Sequence, residues 1–214
     1  MTTMPESFFG WVTFLLHQYG DVLLKGACVT LLLAIVGTLI GCVIGLVVGI
    51  IQTIPEDPKA SAAKKALVKV TQLVLNAYVE LFRGTPMMVQ AMVIYWGYAF
   101  LNDGATLPLI PAGLFIVSIN TGAYMAEIVR GGIISVDRGQ LEGAYSVGMT
   151  HAQAMVKVVI PQVLQNILPS ISNEFVINIK DTSVLNVIGV TELYYMAGVI
   201  KRINLQTFQV YTVI

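Results

Sequence analysis

The feature that most constrains the fold of this chain is an apolar run over residues 22–51, which a single charge, Lys25, interrupts near its start. About 20 consecutive apolar residues suffice for a helix that crosses the hydrocarbon core of a membrane. The run therefore predicts a membrane-spanning helix. Composition agrees, because only 11% of the 214 residues are charged, whereas soluble proteins carry about 25%. The formal net charge of zero gives no electrostatic reason to bind nucleic acid.

Further apolar segments predict an all-α integral membrane protein with about five transmembrane helices. The apolar residues 66–101 are interrupted by glycine, threonine and proline at residues 84–86, which predicts a slanted or interfacial helix and then a span over residues 87–101. Two more spans are expected at residues 109–129 and 160–188. The last ten residues begin another apolar run, which is too short for a hydrocarbon core of about 30 Å. The last helix is therefore expected to be incomplete in this sequence.

The N-terminus carries aromatic and aliphatic side chains between Phe8 and Leu16, without a basic leader before them. A cleavable signal peptide begins with such a leader, so none is expected here. The cluster instead predicts a short segment that rests on the membrane surface. We therefore divide the chain into an interfacial segment, residues 1–21, and a transmembrane domain, residues 22–214, with a long loop at residues 131–159.

The distribution of lysine and arginine predicts the orientation, because basic residues are enriched in loops that stay on the cytoplasmic side. Seven of them flank the loops after the first and third spans: Lys59, Lys64, Lys65, Lys69, Arg130, Arg138 and Lys157. Three belong to the opposite side: Lys25, Lys201 and Arg202. This asymmetry predicts that the two loops face the cytoplasm and that the N-terminus lies outside.

Small residues form a stripe along the first span, where glycine recurs every four residues at Gly37, Gly41, Gly45 and Gly49. Such a stripe lets another helix approach to backbone contact within lipid. The pattern is compatible with packing inside one chain and with a seam between two copies.

The sequence of the loop after the third span predicts two helices joined by a turn at Gly148. Pro161 is expected to end or bend the second of these helices. Thr150 and Gln153 have the spacing of a helix-starting cap and its return partner. Apolar side chains would be exposed on the wet side of the protein at Tyr145, Val147 and Met149. An exposed apolar patch of this kind usually marks a docking site for another protein.

The same loop resembles the signature loop of permease subunits in ATP-binding-cassette importers, which reads Glu-Ala-Ala, three residues, Gly, nine residues, Ile, any residue, Leu-Pro. The matching positions are Glu142, Gly143, Ala144, Gly148, Val158, Ile160 and Pro161. Gly143, Val158 and Ile160 depart from the pattern. In that family the loop seats in a groove of the ATPase subunit. The resemblance therefore implies an ATPase contact at Glu142, Gly143, Ala144, Tyr145, Gly148, Met149 and Pro161.

Three further blocks, residues 78–90, 119–144 and 173–193, resemble the polar amino-acid branch of the same family. The resemblance implies a type I importer permease fold that forms the translocation pathway as a dimer, in the cell membrane, with an identical or related second permease subunit. It also implies an extracytoplasmic amino-acid-binding protein or domain. The sequence has no GxxxxGK[ST] motif, so ATP and magnesium are expected in a separate ATPase subunit, with no cofactor in this chain and no enzyme activity of its own.

Polar residues follow one face of the fourth span, at Asn166, Ser170, Glu174, Asn178 and Asp181. Charged groups at membrane depth are costly and tend to face a cavity or a partner. The stripe is compatible with a buried hydrogen-bond network and with a wall of the translocation pathway. The candidate pathway residues are Glu174, Asn178, Lys180, Asp181, Thr182 and Ser183, with Glu127 and Asn120 from the third span as weaker candidates.

An ion-coupled secondary transporter is the alternative, with Glu174, Lys180 and Asp181 as its relay. That alternative explains the charges within the membrane but not the exposed apolar loop. Neither histidine has ligands at metal-binding spacing, so no metal site is predicted. No arrangement of nucleophile and base indicates a membrane enzyme.

Overall fold

The computed structural model describes residue 5, residues 7–55 and residues 60–214, and these residues contain helices and no strand. The prediction of an all-α protein is confirmed. The helices are α1 (Phe8–Gln52), α2 (Ala62–Gly84), α3 (Met87–Leu101), α4 (Leu109–Ser135), α5 (Arg138–Ser146), α6 (His151–Ala154), α7 (Ile160–Asp181), α8 (Leu193–Asn204) and α9 (Thr207–Val213). A π-helical turn, Met155–Val159, joins α6 to α7, and a 3-10 segment, Thr182–Ile188, follows α7.

Three helical stretches of the described chain are long and apolar enough to cross a membrane: Phe8–Gln52, Leu109–Ser135 and His151–Ile188. The shorter apolar helix Met87–Leu101 corresponds to the predicted second span. The last helix of the described chain, α9, has seven residues. The four predicted spans therefore coincide with α1, α3, α4 and α7 with its 3-10 extension.

The N-terminal residues 8–21 are helical and continuous with the first span, as the first turns of α1. Trp11 and Leu15 are buried, and Leu15 and Leu23 form one apolar cluster with Ala197 and Val210. These positions recur at helical spacing, so a single face of α1 packs on α8 and α9. The location of this segment at the membrane surface stays a prediction, and residues 1–4 and 6 lie outside the described residues.

The glycine stripe of α1 packs against α4 within the same chain. A Cβ atom added at Gly37, Gly41, Gly45 or Gly49 would lie within 3 Å of an atom of α4. The contacts advance in step along both helices, from Val117 opposite Gly37 to Val129 opposite Gly49, so the two helices run parallel. Of the two interpretations of the stripe, the structure supports packing inside the chain.

The side chain of Gln90 forms hydrogen bonds to the backbone at the break between α2 and α3. Thr85 is extended, with φ of −122° and ψ of 146°. The side-chain amide of Gln90 donates to the carbonyl oxygens of Phe82 (2.8 Å) and Thr85 (2.9 Å). Its oxygen accepts from the Asn120 amide of α4 at 2.9 Å. The interrupted backbone therefore has a buried partner, as irregular segments at membrane depth require.

The two loops predicted to face the cytoplasm lie at the same end of the helix bundle. Pro55 and Lys64, which flank the loop after α1, line one cavity together with His151 of α6. Helices α8 and α9 pack on the N-terminal part of α1, at the other end of that helix. Lys59 lies outside the described residues. The grouping of the loops agrees with the charge asymmetry, and the direction in which they face stays a prediction.

Candidate functional site

The loop over residues 137–161, called the docking loop below, is a compact hairpin of helices. Asp137 begins α5 by accepting from the backbone N–H of Gly139 at 2.6 Å. The helix ends at Ser146, and Gly148 follows with a φ of +80°, a left-handed conformation. Two backbone bonds close the turn, from Gly148 N to Tyr145 O (2.9 Å) and from Met149 N to Ala144 O (3.1 Å). Glycine is needed at this position because a side chain is strained at such an angle.

The second half of the turn is fixed by side chains. Thr150 and Gln153 form the predicted reciprocal cap, in which each side chain accepts from the backbone N–H of the other residue, at 3.3 Å and 2.9 Å. The Tyr145 hydroxyl also forms a hydrogen bond with His151 Nδ1 at 2.8 Å. The bond to His151 could not be predicted from the sequence, because it forms only when the turn brings α5 and α6 together.

The exposure of the docking loop matches the predicted apolar patch in part. Tyr145 is 45% exposed and Val147 is 73% exposed, and we call these two residues the apolar tip. Met149, which was expected to be exposed with them, is half-buried because the chain folds back onto α5 at this residue. Ala144 is buried beneath the turn. Glu142, Gly143 and Pro161 are exposed.

The sequence left open whether Pro161 ends or bends the second helix, and the helix does not end there. The chain passes from α6 through the π-helical turn into α7, which continues to Asp181. The N–H of Ile160 bonds to the carbonyl oxygen of Met155, five residues earlier. A wider turn immediately before Pro161 accommodates a residue that has no N–H of its own.

Asn178 is the centre of a buried hydrogen-bond cluster. Its side-chain amide donates to the hydroxyl oxygens of Thr38 on α1 (2.8 Å) and Thr121 on α4 (3.0 Å). All three residues are nearly inaccessible. For Asn178 the structure favours the network interpretation, since its side chain ties three helices together.

The other candidates on and after α7 do not join this cluster. Glu174 is buried and forms no hydrogen bond among the described residues. The hydroxyls of Thr182 and Ser183 donate to the carbonyl oxygens of Ile179 and Lys180 at the end of α7. Within the described chain, Lys180 and Asp181 form no ion pair.

The two candidates on α4 belong to separate sites. Asn120 is buried against Gln90 at the α2–α3 break. Glu127 pairs with Arg130 one turn later and lies 3.8 Å from the Arg83 guanidinium of α2. Gln90 and Arg83 were not singled out from the sequence, although both stand in the block over residues 78–90.

Replacement of Asn178 by leucine is expected to lower the free energy of unfolding by about 1–2 kcal/mol, because two buried threonine hydroxyls lose their partner. The measurement is denaturant-induced unfolding of the purified chain in mixed micelles. Asn173→Leu is the matched control, since Asn173 is exposed on the same helix and forms no hydrogen bond among the described residues. Equal stability of the two variants would contradict the structural role of Asn178.

Comparison with known proteins places this geometry in context. Residues 60–214 match the family described as the binding-protein-dependent transport system inner membrane component. The L-cystine transport system permease protein TcyB of Bacillus subtilis (strain 168) is 39% identical over 143 residues, which cover 67% of this chain and 60% of that protein. The glutamine transport system permease protein GlnP of Escherichia coli (strain K12) is 33% identical over 137 residues, or 64% of this chain and 63% of that protein. The matched parts thus span less than two thirds of these relatives.

Solved structures share the fold. A structure described as an amino acid ABC transporter with histidines has a TM-score of 0.80 and 35% identity, and the match covers 98% of this chain and 89% of that chain. An inward-facing structure of the MetNI methionine ABC transporter has a TM-score of 0.73 at 20% identity, covering 92% of this chain and 88% of that chain. The second likeness supports the type I importer permease fold alone.

Proposed function

The chain belongs to the family of binding-protein-dependent transport system inner membrane components, and on that premise we propose that it is the membrane-spanning permease subunit of an ATP-driven amino-acid importer. It is a multi-pass protein of the cell membrane, with its N-terminus outside. Two permease subunits, identical or related, form the translocation pathway. An extracytoplasmic amino-acid-binding protein or domain delivers the substrate to them.

The observation that carries this proposal is the docking loop. Its apolar tip is exposed, yet the turn beneath it is held by a left-handed glycine, a reciprocal cap and the bond between Tyr145 and His151. A rigid, exposed apolar surface at the end of a membrane protein suits contact with another protein. We assign this surface to a separate ATPase subunit.

The mechanism follows from this division of roles. ATP and magnesium bind to the ATPase subunits, whose closure moves both docking loops toward each other. Each loop continues through the π-helical turn into α7, so a displacement of the loop is transmitted to a membrane-spanning helix. The outer and inner gates of the pathway then open in alternation. The chain supplies transport and the partner supplies hydrolysis.

Amino acids are the proposed substrate class. The named relatives are permease proteins for L-cystine and glutamine, and a 35% identical structure is an amino acid ABC transporter. The polar residues at membrane depth are compatible with a zwitterion. We propose Glu174, Lys180, Asp181, Thr182 and Ser183 as pathway residues, because among the described residues none of their side chains forms a hydrogen bond or an ion pair with α1, α3 or α4.

The alternative, an ion-coupled secondary transporter, gives the docking loop no role. A transport assay separates the two mechanisms. Proteoliposomes containing the chain with its ATPase and binding protein are expected to accumulate labelled amino acid when ATP reaches the ATPase. An ion gradient without ATP is expected to drive no uptake. Uptake that depends on the gradient and is indifferent to ATP would overturn the proposal.

A further inference from the structure

A polar cleft opens between α1, α2 and α4, beside the C-terminal end of α1. Its volume is about 390 Å³, which lies in the range of about 300–1,000 Å³ typical of small-molecule sites. Six polar side chains line it: Gln52, Asn76, Glu80, Arg83, Glu127 and Arg130. On α2 these residues follow one face at spacings of four and three, so they converge on the same space.

The cleft contains two guanidinium groups and two carboxylates, so it has no net charge but strong local fields. The side chains of Arg83 and Glu127 are 42% and 32% exposed. Gln52 ends α1 and Arg130 flanks the loop after α4, so the cleft lies at the end of the bundle that is predicted to face the cytoplasm. The cleft is therefore a candidate position at that end of the pathway, and Arg83 and Glu80 were not among the residues predicted from the sequence.

The two arginines of the cleft, Arg83 and Arg130, differ in their hydrogen bonding. Arg130 contacts both oxygens of Glu127, with its Nε 3.2 Å from Oε2, and so holds that carboxylate in one orientation. Arg83 lies 3.8 Å from Glu127 Oε2 and 5.7 Å from the centre of the Tyr124 ring. It forms no hydrogen bond among the described residues. Its planar set of N–H donors is thus available to an incoming carboxylate.

The same cleft contains acceptors for a positive group. Glu80 is exposed and, within the described chain, forms neither an ion pair nor a hydrogen bond. Glu127 is already oriented by Arg130. The amide of Gln52 donates to Asn76 at 2.8 Å, which leaves the buried Gln52 oxygen without a partner. Such an oxygen favours a nearby donor.

We infer that this cleft binds the charged backbone of a free α-amino acid, with Arg83 binding the carboxylate and Glu80 and Glu127 accepting from the ammonium group. The inference rests on the proposed transport function and deepens it. These residues contact only the charged groups that all amino acids share, so the cleft binds different amino acids alike. A phospholipid headgroup with a phosphate and an ammonium group shares this chemistry, and the experiment separates the two sources.

The test measures binding of radiolabelled L-glutamine, L-histidine, L-arginine and L-cystine, each by equilibrium dialysis, to the permease–ATPase complex in phosphatidylglycerol nanodiscs. Wild type is expected to bind at least one of them. Arg83→Gln and Glu80→Gln are each expected to weaken that binding at least tenfold, and Arg83→Lys less than Arg83→Gln. The methyl ester and the N-acetyl derivative of the same amino acid are expected not to compete. Arg202→Gln, on α8 outside the cleft, is the control and should bind as wild type does.

Three results would overturn the inference: wild-type affinity in both glutamine variants, competition by the methyl ester, or a loss of retained phosphatidylethanolamine in Arg83→Gln with amino-acid binding unchanged. The last result would assign the cleft to a lipid. A failure of the proposed transport function would give a result distinct from these three: the wild-type complex would show no ATP-driven uptake. Normal uptake with an unchanged KM in Arg83→Gln would contradict the cleft alone.

Discussion

Replacement of Gly45 by alanine is expected to destabilise the folded chain by about 3 kcal/mol or more, although it adds a single methyl group. The new Cβ atom would lie 2.3 Å from the Met125 Cβ, 2.7 Å from the Met125 carbonyl carbon and 2.8 Å from the Ala126 nitrogen. Two of these atoms are backbone, so no change of rotamer relieves the contact. The two helices would have to move apart along the closely packed α1–α4 interface.

Thermal unfolding of the detergent-purified chain, followed by the loss of the monodisperse peak in size-exclusion chromatography, measures this effect. Gly20→Ala in the same helix is the control, because a Cβ there meets nothing within 4 Å. Gly37→Ala is expected to lie between the two, since its closest contact is with the Val117 side chain. A Gly45→Ala variant as stable as Gly20→Ala would show that α1 and α4 do not approach so closely.

Replacement of Gly148 by valine is expected to reduce the amount of ATPase that co-purifies with the chain at least tenfold. A Cβ at Gly148 meets nothing within 4 Å, so the effect does not come from packing. It comes from the φ of +80°, which costs an L-residue about 1–2 kcal/mol, and a β-branched residue more. If the turn relaxes to relieve that strain, the apolar tip moves. An energy of about 1.4 kcal/mol corresponds to tenfold in affinity.

A graded series separates backbone strain from side-chain size. Gly148→Asn is expected to retain more ATPase than Gly148→Val, because asparagine tolerates the left-handed region better. Gly131→Ala is the matched control: it lies in α4 outside the docking loop, a Cβ there also meets nothing within 4 Å, and alanine favours the helix. All variants should be compared at equal amounts of folded chain. Undiminished ATPase in Gly148→Val would remove the docking loop from the proposed interface.

Much of the fold could be predicted from local sequence patterns. The spans follow from the length of apolar runs, and the cap between Thr150 and Gln153 follows from a spacing of three residues. The left-handed turn at Gly148 is equally local. Local patterns did not settle the course of the chain at Pro161 or the partners of the first turns of α1. A π-helical turn lets α7 continue past Pro161, and the apolar face of residues 8–21 packs on α8 and α9.

The candidate site was predicted less completely, because its contacts join residues far apart in the sequence. Asn178 was identified as a polar residue in a span, but its partner Thr38 lies 140 residues away. Glu127 was identified, but its neighbour Arg83 stands on another helix. A polar side chain at membrane depth needs a hydrogen-bond partner, but the sequence does not identify which residue that partner is.

The sequence by itself determined which segments enter the membrane, where the chain turns and which loop is exposed, since these depend on hydrophobic length and on interactions between close neighbours. Only the tertiary structure decided which helix the glycine stripe faces, which amides bond at Gln90 and Asn178, and which charges share the cleft. Those choices depend on how closely and at what angle the helices pack, and packing is a property of the assembled bundle rather than of any one segment.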